Sequence, residues 1–393
     1  MQTLEIKPWI SRQIVKGRRL LQEGDFKRYC EVEPGTIVRL VDKNQRFVAM
    51  AYLAKQNKGV GWVYSEADGQ LLTPDWFITC FTQAKERRHA LFFSETTTGF
   101  RLFNGEGDGL GGLALDWYDG YIVSHWYSTG IVRYREAILA AIQEVFPECL
   151  GMVAKNRFKE RHLPASEWLF GQEAPHDWVI LENGIRYLTH LNEGWMTGIF
   201  FDQRPVRDYV SQYLAVGARV LNTFSYAGAF SIASAMGGAR ETVSVDLAKR
   251  TRELTQEQFD SNGMPMTDHH VHVMDTFDYF AYAQRHDEHY DVIIMDPPSF
   301  ARSDHGYFKA TEHYGKLVAH ALPILNAGGY LVCSTNAANF KDEDFKQMIL
   351  SQAKEKNSTL EVVAHFGLPE DFPTPNASPE SDYLKVYILK KRG

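Results

Sequence analysis

Strand-like and helix-like runs alternate at a nearly constant interval through the second half of this 393-residue chain, and nothing else in the sequence restricts the fold as tightly. Residues 219–223, 241–245, 270–274, 291–295 and 330–334 read as short apolar strands. Between them, residues 227–236, 247–261, 277–284, 309–325 and 342–354 carry helical periodicity. A strand that is apolar on both faces and followed each time by a helix belongs in a doubly wound, mostly parallel sheet. The last two strand-like runs, 360–366 and 383–389, have no helix between them, so one of them is expected to run antiparallel. Upstream the chain changes character twice. Residues 1–72 look like short strands and turns, with runs at 36–40 and 47–53 separated by the hairpin-like Asp42-Lys43-Asn44-Gln45. Residues 73–188 mix a helix at 77–88, strands at 100–104, 112–117 and 121–127, and an amphipathic helix at 132–145. Three domains are therefore expected, at 1–72, 73–188 and 189–393.

Several function classes are disfavoured by composition. No apolar run approaches the length of a membrane span, and the first 21 residues mix Lys, Arg and Glu rather than forming a secretory signal. Cys30, Cys80, Cys149 and Cys333 are widely separated and lack C-x-x-C spacing, so neither a disulfide framework nor a zinc site is expected. His269, His270 and His272 have no carboxylate or thiol at ligand spacing, so no metal is expected. A cytoplasmic address follows as the expectation. The net charge of −7 argues against binding nucleic acid through bulk charge. Three local clusters suggest a segregated basic face instead: Lys16, Arg18 and Arg19; Lys85, Arg87, Arg88 and His89; and Lys155, Arg157, Lys159, Arg161 and His162.

The chemistry concentrates where strands end. Val292-Ile293-Ile294-Met295 runs into Asp296-Pro297-Pro298-Ser299-Phe300. Two prolines lack the donors a ladder needs, so pairing stops at the carboxyl end of the strand, where open α/β sheets bind ligands. An acid, free carbonyls and an aromatic ring held there suit a flat heterocycle, the ring stacking and the oxygens accepting from edge N–H groups. The first strand of the sheet ends in Asn222-Thr223-Phe224-Ser225-Tyr226-Ala227-Gly228, whose small residues let a ligand approach a helix amino terminus. It is not a G-x-G-x-x-G fingerprint, which disfavours a pyrophosphate cofactor. Asp246 closes the second strand where a carboxylate meets ribose hydroxyls, and Asp275 follows the third where it can accept from an adenine amino group. An acid after a strand is also a common helix N-cap. Three acids at three strand ends nonetheless suit a nucleoside ligand without phosphates, such as S-adenosyl-L-methionine. Upstream, Thr197-Gly198 leads to Asp202-Gln203-Arg204, where Gln203 and Arg204 could hold the methionine carboxylate or orient the sulfonium.

Together these stretches, with Ser244-Val245-Asp246 and Pro379-Glu380…Tyr383-Leu384-Lys385, resemble the RlmI-like class I methyltransferases of large-subunit ribosomal RNA over nearly the whole chain. The resemblance implies a β-rich PUA domain that binds RNA, a small central α/β domain, and a Rossmann-like seven-stranded methyltransferase domain. It implies that Asn222, Asp246, Asp275 and Asp296 line the pocket for S-adenosylmethionine, and that ribosomal RNA is the partner. Phe224, Ser225, Tyr226 and Gly228, with Thr197, Gln203 and Arg204, are the further cofactor-binding candidates. A homodimer is one assembly open to such a chain.

One departure is chemical. RlmI-type enzymes carry a Ser-Cys-Ser-Gly stretch after the fifth strand, because methylating carbon 5 of cytosine needs a thiolate at carbon 6. Here the segment reads Cys333-Ser334-Thr335-Asn336-Ala337, and the position of that cysteine falls on Asn336. Cys333 falls inside the strand, where a thiol is an ordinary core residue. The family's Asp-His-Pro also appears as Asp371-Phe372-Pro373. The segment is closer to the related RlmK-type domain, with Ser-Asn-Asn, which methylates a guanine ring nitrogen and needs no covalent catalyst. The catalytic set expected is Asp296, Pro297, Phe300 and Asn336, acting on a base nitrogen. Three other readings compete: an RlmI-type 5-methylcytosine enzyme, a non-catalytic RNA-binding assembly factor, and a small-molecule methyltransferase.

Overall fold

The computed structural model describes residues 1–160, 162–192, 194–303 and 306–392. Its chain divides into two units. The first comprises Met1–Ile180, Thr189–Thr197 and Glu370–Ser381; the second comprises Leu181–Leu188, Gly198–Pro369 and Asp382–Gly393.

The first unit holds two five-stranded sheets. In one, the spatial order is Gln2–Glu5, Thr36–Val41, Phe47–Gln56, Gly59–Ser65 and Leu20–Leu21. The helix Pro8–Val15 interrupts the strands expected there. Proline opens it, where a missing N–H costs nothing, and Ile10 and Ile14, one turn apart, bury their side chains in the cluster of Leu4, Val38 and Leu40. The other sheet runs Ser166–Gly171, Gly151–Asn156, Tyr121–Trp126, Leu113–Tyr118 and Gly99–Asn104, with helices Pro74–Arg87 and Arg135–Val145 packed on each other. The helix expected over 132–145 is split: Thr129–Val132 forms a separate turn capped by Ser128, which accepts from the Ile131 N–H. One aromatic-rich core joins Tyr52 and Trp62 to Phe77, Phe81, Phe103 and Trp126.

Not all of the basic clusters face solvent. Arg88 is 1% exposed, with its guanidinium bound to Asp108 and to the carbonyl oxygen of Asp371, and Lys155 is fully buried. A cation removed from water must find a partner inside, so these two are fixtures of the first unit rather than part of a binding face. Lys16, Arg87, Lys159 and His162 are exposed, and Arg161 lies outside the described residues.

The second unit is built on one seven-stranded sheet. Its strands are β1 (Arg219–Thr223), β2 (Glu241–Asp246), β3 (His269–Val273), β4 (Tyr290–Met295), β5 (Leu325–Thr335), β6 (Leu360–Phe366) and β7 (Lys385–Lys391). The spatial order is β3-β2-β1-β4-β5-β7-β6, and β7 runs antiparallel to both of its neighbours. Helices α1 (Ala229–Met236), α2 (Thr251–Ser261), α3 (Thr276–Arg285), α4 (Ala310–Ala321) and α5 (Asp342–Glu355) follow successive strands. Alternate residues of each strand feed two cores. Val220, Val292 and Ile294 pack with Val206, Val210 and Phe230, while Leu221, Ile293 and Met295 pack with Phe280, Tyr314 and Phe345. That double coverage explains the continuous apolar character of these strands. Among the described residues no helix is long and apolar enough to cross a membrane.

Candidate functional site

The parallel strands of the second unit stop in register. Thr223 of β1 lies beside Val245 of β2 and Met295 of β4, and Asp246 lies beside Val273 of β3. The first residues past that line, Phe224, Met274 and Asp296, therefore emerge along one edge together with Asp246. With strands about 4.8 Å apart, Asp246 and Asp296 are separated by roughly 10 Å of backbone, a span suited to a nucleoside.

The loop between β1 and α1 turns back sharply. Phe224, Tyr226 and Gly228 have φ of 56°, 49° and 75°, all left-handed. Aromatic residues adopt that region only under external restraint. Asp246 provides part of it: its Oδ2 accepts from the Tyr226 N–H at 2.9 Å, and its Oδ1 from the Ala248 N–H at 2.9 Å. The Ser225 N–H donates to the carbonyl of Val245 at 3.1 Å, and the Thr251 hydroxyl donates to the carbonyl of Tyr226. A Cβ at Gly228 would lie 2.7 Å from Thr255 Cγ2, so glycine is required there by conformation and by space. Each Asp246 oxygen keeps accepting capacity after these bonds, at a partly exposed position.

Two other carboxylates behave differently. Asp275 caps α3, its Oδ1 accepting from the Phe277 N–H at 2.8 Å; among the described residues its other oxygen has no partner. Asp296 stands at the end of the apolar β4, and its carboxyl is pushed up to about 6. Burial is the main cause, and the nearby charge of Asp202 adds to it. Hydrogen bonding from Ser334 and Gln203 and the charge of Arg207 pull the other way. Gln203 is buried and donates from Nε2 to Ser334 Oγ at 2.7 Å. Arg207 is held by Glu182 through bonds of 2.6 and 2.8 Å, and the Tyr383 hydroxyl donates to Asp202 Oδ2 at 2.8 Å. The sequence signal for this support is present in Asp202-Gln203 and Tyr383, whereas Ser334 is legible only as part of the segment around Asn336, and Glu182 is an acid in a hairpin with no signal of its own.

Several expected site residues stand on or just past this edge, and Asn222 turns its side chain away from it. Pro297 is buried and Phe300 is 61% exposed just beyond it. Asn336 is exposed immediately after Thr335 closes β5. Arg204 begins the helix Arg204–Tyr209. Asn222, in contrast, is 2% exposed, and its side-chain amide donates to Ser231 Oγ at 3.0 Å, inside the joint between β1 and α1. Thr197 belongs to the first unit, its hydroxyl 2.7 Å from that of Tyr118. Cys333 is fully buried between Met295 and Tyr387 on neighbouring strands, and burial drives its thiol far above the ordinary range. Among the described residues no group of three or more His, Cys, Asp or Glu is arranged to hold a metal ion.

The polar atoms beside this edge suit an adenosyl amino acid, one hydroxyl able to donate and one amide oxygen able to accept. Among the described residues, Ser225 Oγ and Gln203 Oε1 are buried without a hydrogen-bond partner, a state costing about 1–3 kcal/mol each until a ligand or water completes it. The accepting carboxylates lie farther along the same edge, and among the described residues no glycine-rich pyrophosphate cradle accompanies them.

Comparison with known proteins gives the family. A model of the S-adenosylmethionine-dependent methyltransferase family matches residues 101–388, and a model of PUA-like domains matches residues 4–66. A Bacillus subtilis (strain 168) protein named "Putative ribosomal RNA large subunit methyltransferase YwbD" is 40% identical over 100% of both chains. Ribosomal RNA large subunit methyltransferase I of Aeromonas salmonicida (strain A449) is 30% identical over 81% of each. The crystal structure of "SMU.776, a putative methyltransferase complexed with SAH" superposes with a TM-score of 0.93 at 41% identity, over 99% of this chain and 100% of that one.

Proposed function

The chain belongs to the S-adenosylmethionine-dependent methyltransferases, and from that membership we propose that it methylates a base of large-subunit ribosomal RNA at a nitrogen rather than at cytosine carbon 5. Its cofactor is S-adenosylmethionine. The RNA substrate is supported by the names of the relatives and by the PUA-like domain. In this reading residues 1–72 are an RNA platform, 73–188 a central domain and 189–393 the catalytic domain.

One observation carries the choice of atom. The thiol of Cys333 is shut inside the sheet and held protonated, so it cannot add to carbon 6 of a pyrimidine; the exposed residue after β5 is Asn336. A base nitrogen needs no covalent adduct: it needs alignment, exclusion of water and an acceptor for the proton it carries.

When bound, S-adenosylmethionine supplies an electrophilic methyl group on a positively charged sulfur. Asp246 would hold the ribose hydroxyls and Asp275 the adenine amino group, with Phe224, Ser225, Tyr226 and Gly228 shaping the loop around them. Gln203 and Arg204 would hold the amino-acid end. Phe300 would stack on the target base, Asn336 would hold its edge, and Asp296, on the rigid turn that Pro297 enforces, would accept a base N–H and take its proton. Incubating the protein with ribosomal RNA and methyl-labelled cofactor, then digesting the RNA, tests the reading. Label on a base nitrogen, retained by Cys333→Ala, is expected. Label in 5-methylcytosine that Cys333→Ala abolishes would refute the atom assignment.

A further inference from the structure

Past Pro298 the chain forms a two-stranded ribbon, Phe300–Ser303 against Gly306–Lys309. Phe300 pairs with Lys309, Ala301 with Phe308, and Arg302 with Tyr307. Directly opposed residues share a face and successive residues alternate. Ala301 and Phe308 therefore occupy one face, and Phe300, Arg302, Tyr307 and Lys309 occupy the other.

The two faces meet different surroundings. Phe308 is 9% exposed and packs 6.2 Å from the ring of Phe224, which ties the ribbon to the cofactor loop. On the opposite face Phe300 and Tyr307 are 61% and 60% exposed, with rings inclined by only 16° and centroids 6.3 Å apart. Lys309 is paired with Glu312. Arg302 is exposed and, among the described residues, makes no ion pair. A ribbon that leaves two aromatic rings and a guanidinium in water gains nothing for folding from that face. Rings beside a cation are the combination that grips a single nucleic-acid strand: rings stack on bases of any identity, and guanidinium neutralises the backbone. The cofactor has no phosphate for Arg302 to meet.

We propose that this outer face grips the RNA strand flanking the target nucleotide, with Tyr307 stacking on a neighbouring base and Arg302 meeting a backbone phosphate. It rests on the reading of the chain as an RNA methyltransferase and assigns the part of that substrate held outside the reacting base. Phe300 serves the target, whereas Tyr307 and Arg302 serve its neighbours, so they govern RNA affinity without touching the methyl donor.

The test measures binding of a fluorescein-labelled, single-stranded RNA oligonucleotide of mixed sequence by anisotropy across a salt series. The full-length protein is compared with Tyr307→Ala, Tyr307→Phe and Arg302→Ala, and calorimetry with S-adenosylhomocysteine is run on each. Tyr307→Ala is expected to weaken RNA binding about 5- to 100-fold, while Tyr307→Phe stays near wild type. Arg302→Ala should reduce the slope of log K against log salt by about 0.7. Affinity for S-adenosylhomocysteine should stay at the wild-type value in all three. If wild type binds RNA and methylates it but the Ala variants match it in affinity and slope, the ribbon assignment is wrong and the proposed function stands. If wild type neither binds the oligonucleotide nor methylates ribosomal RNA, the proposed function fails and takes this assignment with it. Loss of S-adenosylhomocysteine binding in Tyr307→Ala would also overturn it, because the ribbon would then be serving the cofactor loop.

Discussion

Replacing Asp296 by asparagine should stabilise the protein at neutral pH while disabling it. The carboxyl sits at the end of an apolar strand and is pushed up to about 6, by burial first and by the charge of Asp202 second, against an ordinary value of 3.8. A carboxyl whose folded-state pKa is raised binds its proton more tightly in the native state than in the unfolded chain. Its stabilising contribution is complete below the unfolded value near 4 and disappears as pH rises through 6. The difference of about 2 units corresponds to roughly 3 kcal/mol at most. Because Asp296 is only partly buried, about 1–3 kcal/mol is the range to expect at pH 7.5. Asparagine has no charge to desolvate and recovers that amount. On a unit of this size the gain is worth about 2–10 °C in melting temperature. Thermal unfolding of wild type and Asp296→Asn in the absence of cofactor, from pH 4.5 to 8, should show curves that meet at the acid end and separate with the variant higher above pH 6. Methyl transfer by the variant should fall at least 100-fold, since the acceptor for the base proton is gone. A variant less stable than wild type at pH 7.5, a difference that ignores pH, or retained activity would each contradict this account.

Two further substitutions test the cofactor loop. Gly228→Ala places a Cβ 2.7 Å from Thr255 at a left-handed position, and should cost about 1–3 kcal/mol, read as a lowered melting temperature. Asp246→Ala removes the acceptor for the N–H groups of Tyr226 and Ala248, and should weaken S-adenosylhomocysteine binding at least 10-fold by calorimetry, at about 1.5–3 kcal/mol per charged hydrogen bond.

The sheet was legible because period and spacing are local properties. Every strand of the seven-stranded sheet is apparent from its own residues, and the lack of a helix before Lys385–Lys391 announces the antiparallel member. Pro8–Val15 escaped although it carried a Pro start and the Ile10/Ile14 spacing, because its eight residues sit among strands. The split before Arg135–Val145 escaped because the residues on both sides favour helix, and Ser128 caps the preceding turn. Side-chain roles were less legible than positions. Asp246 and Asp275 look alike in sequence, yet one braces a strained loop and the other caps a helix, and only the partners distinguish them. Asn222 is a pocket candidate by motif, whereas its side-chain amide donates to Ser231. The ribbon after Pro298 was invisible for the same reason: four residues per strand carry too little periodic signal to separate from a loop.

The order β5-β7-β6 has a consequence for synthesis. In the finished sheet β6 has a single neighbour, β7, and that neighbour is translated later. While residues 367–384 and β7 are still in the ribosome exit tunnel, the newly made β6 has no backbone partner, and the outer edge of β5 stands open beside it. Closure therefore comes from the centre outward in a single late event, when one strand slides between two waiting edges and satisfies both. Until then the nascent chain carries two adhesive edges, which makes the interval before β7 emerges the moment at which it most needs a chaperone.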